Sequence, residues 1–397
     1  MRIAVFGGSF DPVHTEHIRV AAAAIESLRL DKLIVMPAHT PPHKPDKTLS
    51  SDEDRLAMCR LAFANVDKAE VSDYEIAKGG TSYTYLTCRH FRKTYKDAEI
   101  FWLVGTDMLR DFPTWKEPRS ILNDVTLAVC ARAEKAGWLE RERAQFQQKF
   151  DCDFAVVDYN GANVSSTEIR VLAGAGMCLT PLVSEEIQAY IRERGLYNNG
   201  FAEKALALQS EKRRAHSVRV ALTAATKALT LKIPEDKAIE AALFHDCAKN
   251  LPENSPLLEG FEPPKTWGEV PGSVVHQFAG AYVVERTFGV TDEEVLNAIR
   301  YHTSARPAMS GLEKLIFLAD MVEEGRAYEG VDTLRRLFWK NDRSIPPENR
   351  LDECLEEALF QTLVFLKEKG AETYPLTEEA YAFYAKTDKE NKDGGIL

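Results

Sequence analysis

Two short stretches of this chain hold residue types that do chemistry. The first, VFGGSFDPVHTEH, spans residues 5–17. His14 and His17 are three apart, so in a helix they share one face of the first turn. That turn offers free backbone N–H groups and the positive end of the helix dipole, which together suit phosphate. Two imidazoles there add hydrogen bonds that strengthen as charge builds on a transferring phosphorus. Gly7 and Gly8 end an apolar run and leave no side chain between backbone and ligand. Asp11 and Pro12 stand where a helix cap and a first helical residue belong. The plain alternative is a tight strand–helix turn with two solvated histidines; the histidine spacing weighs against it.

The second stretch is FHDCAKN, residues 244–250. His245 and Asp246 follow the apolar run AIEAALF, and an ionisable pair in an interior is costly unless it is paired or holds a metal. Asp320, within LIFLADMV, carries the same cost. Taken singly, a helix histidine is more often a surface or satisfied core group. His216, His245, His276 and His302 lie close in sequence beside small or apolar neighbours, and two carboxylates accompany them. His216, His245, Asp246 and Asp320 make one N/O coordination set, and His276 and His302 are two further ligands, with Asp246 able to bridge two metals. Mixed imidazole and carboxylate ligation suits Fe, Mn, Zn or Co. Two neighbouring metals suit hydrolysis of phosphoesters or phosphoanhydrides.

A third stretch, VSSTEIR at 164–170, places Ser165, Ser166 and Thr167 at a helix start with hydroxyl and backbone donors. Arg170 follows on the same face and can fork onto phosphate oxygens. An ordinary serine cap with an exposed arginine is the alternative.

These groups need elements to position them. RIAVFGG, KLIVMPA, EIFWLVGTD, VTLAVCAR and CDFAVVDY read as strands, separated by helical segments such as EHIRVAAAAIESLRL. That alternation implies an α/β, Rossmann-like domain with a parallel sheet covered by helices on both faces. NNGF at 198–201 reads as a linker, after which helical patterns dominate at 203–230, 235–250, 273–288, 291–302, 310–325 and 348–369. The expected organisation is therefore residues 1–197 as α/β, 203–385 as all-α, and a polar tail at 386–397 that frays.

The net charge of −11 argues against a general nucleic-acid or membrane-surface binder, though a basic pocket is compatible with it. Seven cysteines without CxxC spacing suit reduced thiols. The start MRIAVFGG lacks the pattern of a secretory signal, and no apolar run approaches the roughly 20 residues that span a bilayer. A cytoplasmic protein is expected; nothing in the sequence fixes an oligomeric state.

The first half resembles the nucleotidylyltransferase superfamily, whose signature is a GGxFDPxHxGH-like stretch. MPAHTPPHK at 36–44, SYTYLT at 82–87, FWLVGTDML at 101–109 with Trp115, VSSTEIR and the GLY ending at 195–197 fall in the same order. Within the superfamily it is most similar to the bacterial nicotinate-nucleotide adenylyltransferases; the pantetheine-phosphate branch lacks the PPHK loop and the SYT segment. The resemblance implies attack by the phosphate of nicotinate mononucleotide on the α-phosphorus of ATP, with pyrophosphate leaving and Mg²⁺ bridging phosphate oxygens. Gly7, Gly8 and Phe10 would border the nucleotide. His14 and His17 would grip phosphates, and Lys44, Ser165, Ser166, Thr167 and Arg170 would serve the triphosphate. Gly105 and Asp107 would approach the adenosine ribose, and Thr84 and Trp115 the nicotinate. The family pattern has glycine where this chain has Glu16. In a helix Glu16 points away from the histidine face, yet its charge and bulk bear on ATP.

The second half resembles the HD-domain phosphohydrolases. RRAHSVRVA, ALFHDCAKNLP, HQFAGAYVV and NAIRYHTSARPAMSGLEKLIFLADMVE are similar to the small bacterial HD proteins that cleave diadenosine tetraphosphate symmetrically. The resemblance implies a two-metal site in which Lys249 and Arg306 contact phosphate and iron is the first metal to test. It leaves open a nucleotide-binding regulatory sensor, and a hydrolase of another nucleotide. The partners implied are ATP, nicotinate mononucleotide and a dinucleoside polyphosphate.

Overall fold

The computed structural model describes residues 1–42, 49–131, 137–159, 161–162, 164–198, 200, 202–342 and 344–393, with side chains as far as 385. Two compact units result. One comprises Met1–Ile169 and Leu179–Leu196, the other Arg170–Cys178 and Tyr197–Leu397.

The first unit alternates as β1 (Arg2–Gly8), α1 (Thr15–Ser27), β2 (Lys32–Pro37), α2 (Asp52–Phe63), β3 (Ala69–Val71), α3 (Tyr74–Lys78), α4 (Thr84–Thr94), β4 (Glu99–Gly105), α5 (Thr106–Asp111), α6 (Pro118–Asp124), β5 (Thr126–Ala131), α7 (Trp138–Phe150), β6 (Ala155–Asp158), α8 (Ser166–Gly174) and α9 (Glu185–Glu193). The strands form one parallel sheet in the order β3-β2-β1-β4-β5-β6. The α/β expectation holds, with β3 as an addition: AEV is too short to show a period. Ile3, Ala4, Val5, Leu127, Ala128 and Val129 are wholly buried, as continuous apolar strands covered on both faces require. The chain runs outward from β1 to β3 on one side and from β4 to β6 on the other. The order thus reverses between β1 and β4, and the crevice at their carboxyl ends is where such sheets receive ligands.

Helix α1 starts later than Asp11 and Pro12 suggest. His14 is its N-cap. Asp11 directs its Oδ2 to Ser50 N at 3.4 Å, while His17 Nδ1 accepts the His14 N–H at 3.1 Å.

The second unit is helical: the end of α8, then α10 (Ala202–Ala207), α11 (Glu211–Leu231), α12 (Glu235–Phe244), α13 (Gly272–Phe288), α14 (Glu293–Arg300), α15 (Gly311–Val322), α16 (Val331–Trp339), α17 (Asp352–Glu368) and α18 (Pro375–Asp393). Its core is rich in alanine, with Ala221, Ala224, Ala225, Ala238, Ala241, Ala242 and Ala298 fully buried, so α11, α12 and α14 approach closely. Three expectations change. The pattern at 203–230 is two helices, because Ser210 caps α11 by accepting from Arg213 N. Helix α12 ends at Phe244 rather than 250. Helices α16 and α18 are additional, and the backbone of α18 continues to Asp393, into the segment expected to fray. Among the described residues no helix is long and apolar enough to cross a membrane.

Candidate active sites

In the first unit the loop after β1 brings the signature residues to the crevice. The glycines answer a packing need. A Cβ on Gly7 would lie 3.0 Å from the Trp102 ring, and one on Gly8 would lie 3.1 Å from the Phe10 ring. Phe10 adopts φ +47, a left-handed conformation that a bulky residue rarely takes. Its buried ring meets His17 edge-on, with centroids 5.0 Å apart. His14 and His17 stack, with ring centroids 3.7 Å apart. The two imidazoles therefore form one slab at the start of α1, backed by Phe10.

The start of α8 reaches the same place. Ser166 Oγ donates to Pro12 O at 2.9 Å, and Ser165 Oγ accepts from Glu168 N at 3.1 Å, so Ser165 acts as a cap. Thr167 follows in the first turn of α8. Across the crevice, Gly105 ends β4 and caps α5, with open space where a Cβ would stand. Asp107, in the first turn of α5, is exposed and accepts from Thr106 Oγ1 at 3.2 Å.

The SYT segment is stitched to the loop after β2. Thr40 pairs with Thr81, Ser82 N donates to Thr40 O at 2.9 Å, and His39 N donates to Ser82 Oγ at 3.0 Å. Glu75 is buried below it and accepts from Thr87 Oγ1 at 2.6 Å, with its carboxyl raised above the usual range by burial. Arg55 is wholly buried under the loop, donating to Ser9 O, Ser50 O and His39 O and pairing with Asp52. Thr84 begins α4 and is half-buried. Trp115 is buried in the apolar core against Phe112, 5.3 Å between centroids. Lys44 lies outside the described residues.

Glu16 turns away from the histidine slab. It is buried and paired with Arg19 at 2.7 Å and with the hydroxyl of Tyr159. Arg170 also has a partner other than phosphate. It belongs to the second unit, where its buried guanidinium pairs with the buried carboxylate of Glu235.

The second site is built where α12 stops. Residues i and i+1 of a helix do not face the same way. By leaving the helix at Phe244, the chain turns both His245 and Asp246 inward; His245 Nδ1 bonds to Ala242 O at 2.6 Å. Asp246 is 3% exposed and divides its oxygens between two imidazole groups. Its Oδ1 lies 3.3 Å from His276 Nε2 and 3.5 Å from His302 Nε2. Its Oδ2 lies 3.5 Å from His245 Nε2 and 4.0 Å from His216 Nε2. His216 Nε2 is also 2.8 Å from Asp320 Oδ1. All six residues expected from sequence thus converge. Helices α11, α13 and α15 supply His216, His276 and Asp320, and turns supply the rest.

The donor set fits divalent cations. Donor atoms of His216, His245 and Asp246, of His245, His302 and Asp320, and of Asp246, His276 and His302 lie within 4.8 Å of one another. The buried His245 Nε2 makes no hydrogen bond. Among the described residues, every such group lies in this unit. The field is strong. Burial alone would raise the carboxyls of Asp246 and Asp320, but the neighbouring imidazoles hold both well below the usual range. Burial lowers His276 to about 4, so its ring is neutral and can ligate at neutral pH.

Cations surround the set. Arg213 Nη1 is 2.6 Å from Asp246 Oδ2, Arg326 pairs with Asp320, and Lys249 Nζ is 3.1 Å from the ring nitrogens of His276. Arg306 instead forks onto Glu313 at 2.7 and 2.9 Å, closing its loop on the start of α15. Sequence reasoning missed Arg213, Arg326 and Glu323. Glu323 is 1% exposed and lies 3.1 Å from His216 Nδ1. Helical spacing would have found two of them, since Arg213 precedes His216 by three and Glu323 follows Asp320 by three.

Comparison with known proteins matches a family in each half of the chain. Residues 5–172 match the cytidylyltransferase-like family and residues 213–325 the HD domain family. A Mycoplasma genitalium protein named "Probable nicotinate-nucleotide adenylyltransferase/Ap4A hydrolase" is 30% identical over 83% of this chain and 89% of its own length. A Clostridium tetani "Probable nicotinate-nucleotide adenylyltransferase" is 36% identical over 49% of this chain and 98% of its own. A crystal structure described as a "predicted HD superfamily hydrolase involved in NAD metabolism", from Clostridium acetobutylicum, is 32% identical over 47% of this chain and 96% of its own, with a TM-score of 0.40. With one relative aligned through both halves, the chain belongs to the family in which a cytidylyltransferase-like nucleotidyltransferase domain is fused to an HD domain.

Proposed function

We propose that the chain is a bifunctional nucleotide enzyme. The first unit transfers AMP from ATP to nicotinate mononucleotide. A phosphate oxygen of the mononucleotide attacks the α-phosphorus, the bond to the β-phosphate oxygen breaks, and pyrophosphate leaves as the dinucleotide forms. Support comes from the crevice at the β1/β4 reversal, where the His14–His17 slab and the hydroxyl-bearing start of α8 meet. In this reading the imidazoles donate to phosphate oxygens as charge develops. Ser165, Ser166 and Thr167 hold the triphosphate with Lys44, and Mg²⁺ enters with ATP. Gly105 leaves room for the ribose and Asp107 accepts from its hydroxyls, while Thr84 and Trp115 border the nicotinate.

The second unit hydrolyses a dinucleoside polyphosphate, with diadenosine tetraphosphate cleaved by water to two ADP. The observation that carries this half is the divided carboxylate of Asp246, one oxygen toward each imidazole group. His216, His245, Asp246 and Asp320 would hold one cation and Asp246, His276 and His302 a second. Such cations supply hydroxide at neutral pH and neutralise charge at phosphorus. Lys249, Arg213 and Arg326 place positive charge at the rim, where a polyphosphate is received.

The test uses the purified full chain. With ATP, Mg²⁺ and nicotinate mononucleotide it should form pyrophosphate and nicotinate adenine dinucleotide. With diadenosine tetraphosphate and Fe²⁺ or Mn²⁺ it should form ADP alone. AMP with ATP would refute symmetrical cleavage. Tight binding without product, altering the adenylyl-transfer rate, would identify a sensor instead.

A further inference from the structure

Glu323 is a carboxylate that the proposed chemistry does not use directly, yet it is 1% exposed and has several partners. Its Oε1 lies 3.1 Å from His216 Nδ1. Its Oε2 accepts from Arg219 Nε at 2.6 Å and from Gly325 N at 2.6 Å. Its backbone carbonyl accepts from Arg335 Nη2 at 2.9 Å and from Arg326 N at 3.0 Å. It stands directly after α15, and a Cβ on Gly325 would come within 2.7 Å of the Arg219 guanidinium that Glu323 holds. The same turn aims Arg326 at Asp320.

We infer that Glu323 is the positioning residue for one of the two cation sites, acting through His216. A carboxylate at Nδ1 fixes the tautomer with hydrogen on that nitrogen. The Nε2 lone pair then points at Asp246 and Asp320, and the ring becomes a better donor. Among the described residues Glu323 makes no contact with His276 or His302, whose rings meet Asp246, each other, Lys249, Thr303 and Ile299. The effect of Glu323 is therefore confined to the site that His216 serves. The inference rests on the two-cation reading above.

The experiment titrates chelator-stripped full chain with Mn²⁺ by calorimetry. Wild type should take up two ions. Glu323→Ala should weaken one binding event about tenfold to a hundredfold and leave the other within about threefold. Arg219→Ala serves as the control for mere structure. It removes one of the other partners of Glu323, should lower the melting temperature, and should leave both Mn²⁺ affinities within about threefold. Should Glu323→Ala not fold, Glu323→Gln carries the same test with a selective loss. Two unchanged affinities in the Glu323 variant, or an equal loss at both sites, would overturn the inference. So would a loss in Arg219→Ala matching that in Glu323→Ala. A wild type that binds no Mn²⁺ would instead strike the two-cation reading itself.

Discussion

Asp246→Asn is the sharpest perturbation of the second site. The change keeps size and shape but replaces one anionic oxygen by an N–H donor and neutralises the other. Oδ1 faces His276 and His302 at 3.3 and 3.5 Å, and Oδ2 faces His245 and His216 at 3.5 and 4.0 Å. An amide can present oxygen to only one of these groups. Bound metal should fall from two ions per chain to one or fewer. A partner behind a metal ligand is already worth about tenfold to a hundredfold in affinity, so losing the shared carboxylate should cost at least about a hundredfold, or about 2.7 kcal/mol. Hydrolysis of diadenosine tetraphosphate should drop by about a hundredfold to a thousandfold, the scale of removing one preorganised charge stabiliser. The metal-free fold should also lose stability, because the buried carboxylate faces Arg213 and the imidazoles of His245, His276 and His302. Metal analysis after dialysis, ADP release and thermal melting would be read together, with adenylyl transfer as the internal control. Two retained ions with near-normal hydrolysis would refute the bridging role of Asp246.

Other outcomes follow from buried pairs and close contacts. Arg170→Ala leaves Glu235 charged and buried without its guanidinium, with both side chains under 10% exposed, so the second unit should lose about 3–5 kcal/mol in a denaturant melt. Gly7→Ala forces a methyl to 3.0 Å from Trp102 and should cost about 1–3 kcal/mol, lowering adenylyl transfer with the fold. Burial alone would raise Asp54, but hydrogen bonds from Ser51, Tyr190 and Arg194 hold it below its ordinary value of 3.8. A depressed carboxyl stabilises above the unfolded value and loses that contribution as pH falls through the folded one. Asp54→Asn should therefore remove about 1 kcal/mol at pH 7 and progressively less as pH falls below 3.8, measured by melting across that range.

The strands and the second site were legible because each is written in a local pattern. Apolar runs such as RIAVFGG mark buried parallel strands, and the Asp246 and Asp320 carboxylates contradict their apolar surroundings in a way that only pairing or metal resolves. What stayed hidden is tertiary. Asp11-Pro12 has the composition of a helix start, but Asp11 turns to Ser50 and α1 begins at Thr15 after His14 as cap. Arg306 and Arg170 read as phosphate ligands, and no local signal announces Glu313 or Glu235 as their partners. The glycine pair reads as room for a ligand, whereas Trp102 and Phe10 fill that room.

Glu16 and Tyr159 join the opening turn of α1 to the segment just beyond β6, across 143 positions of sequence. An acid at 16 is then half of a matched couple rather than an isolated oddity. If the chain's ancestors carried glycine there, the phenol at 159 would have been left without its carboxylate. Glu16→Gly would accordingly be felt at both ends, on α1 through Arg19 and beyond β6 through Tyr159.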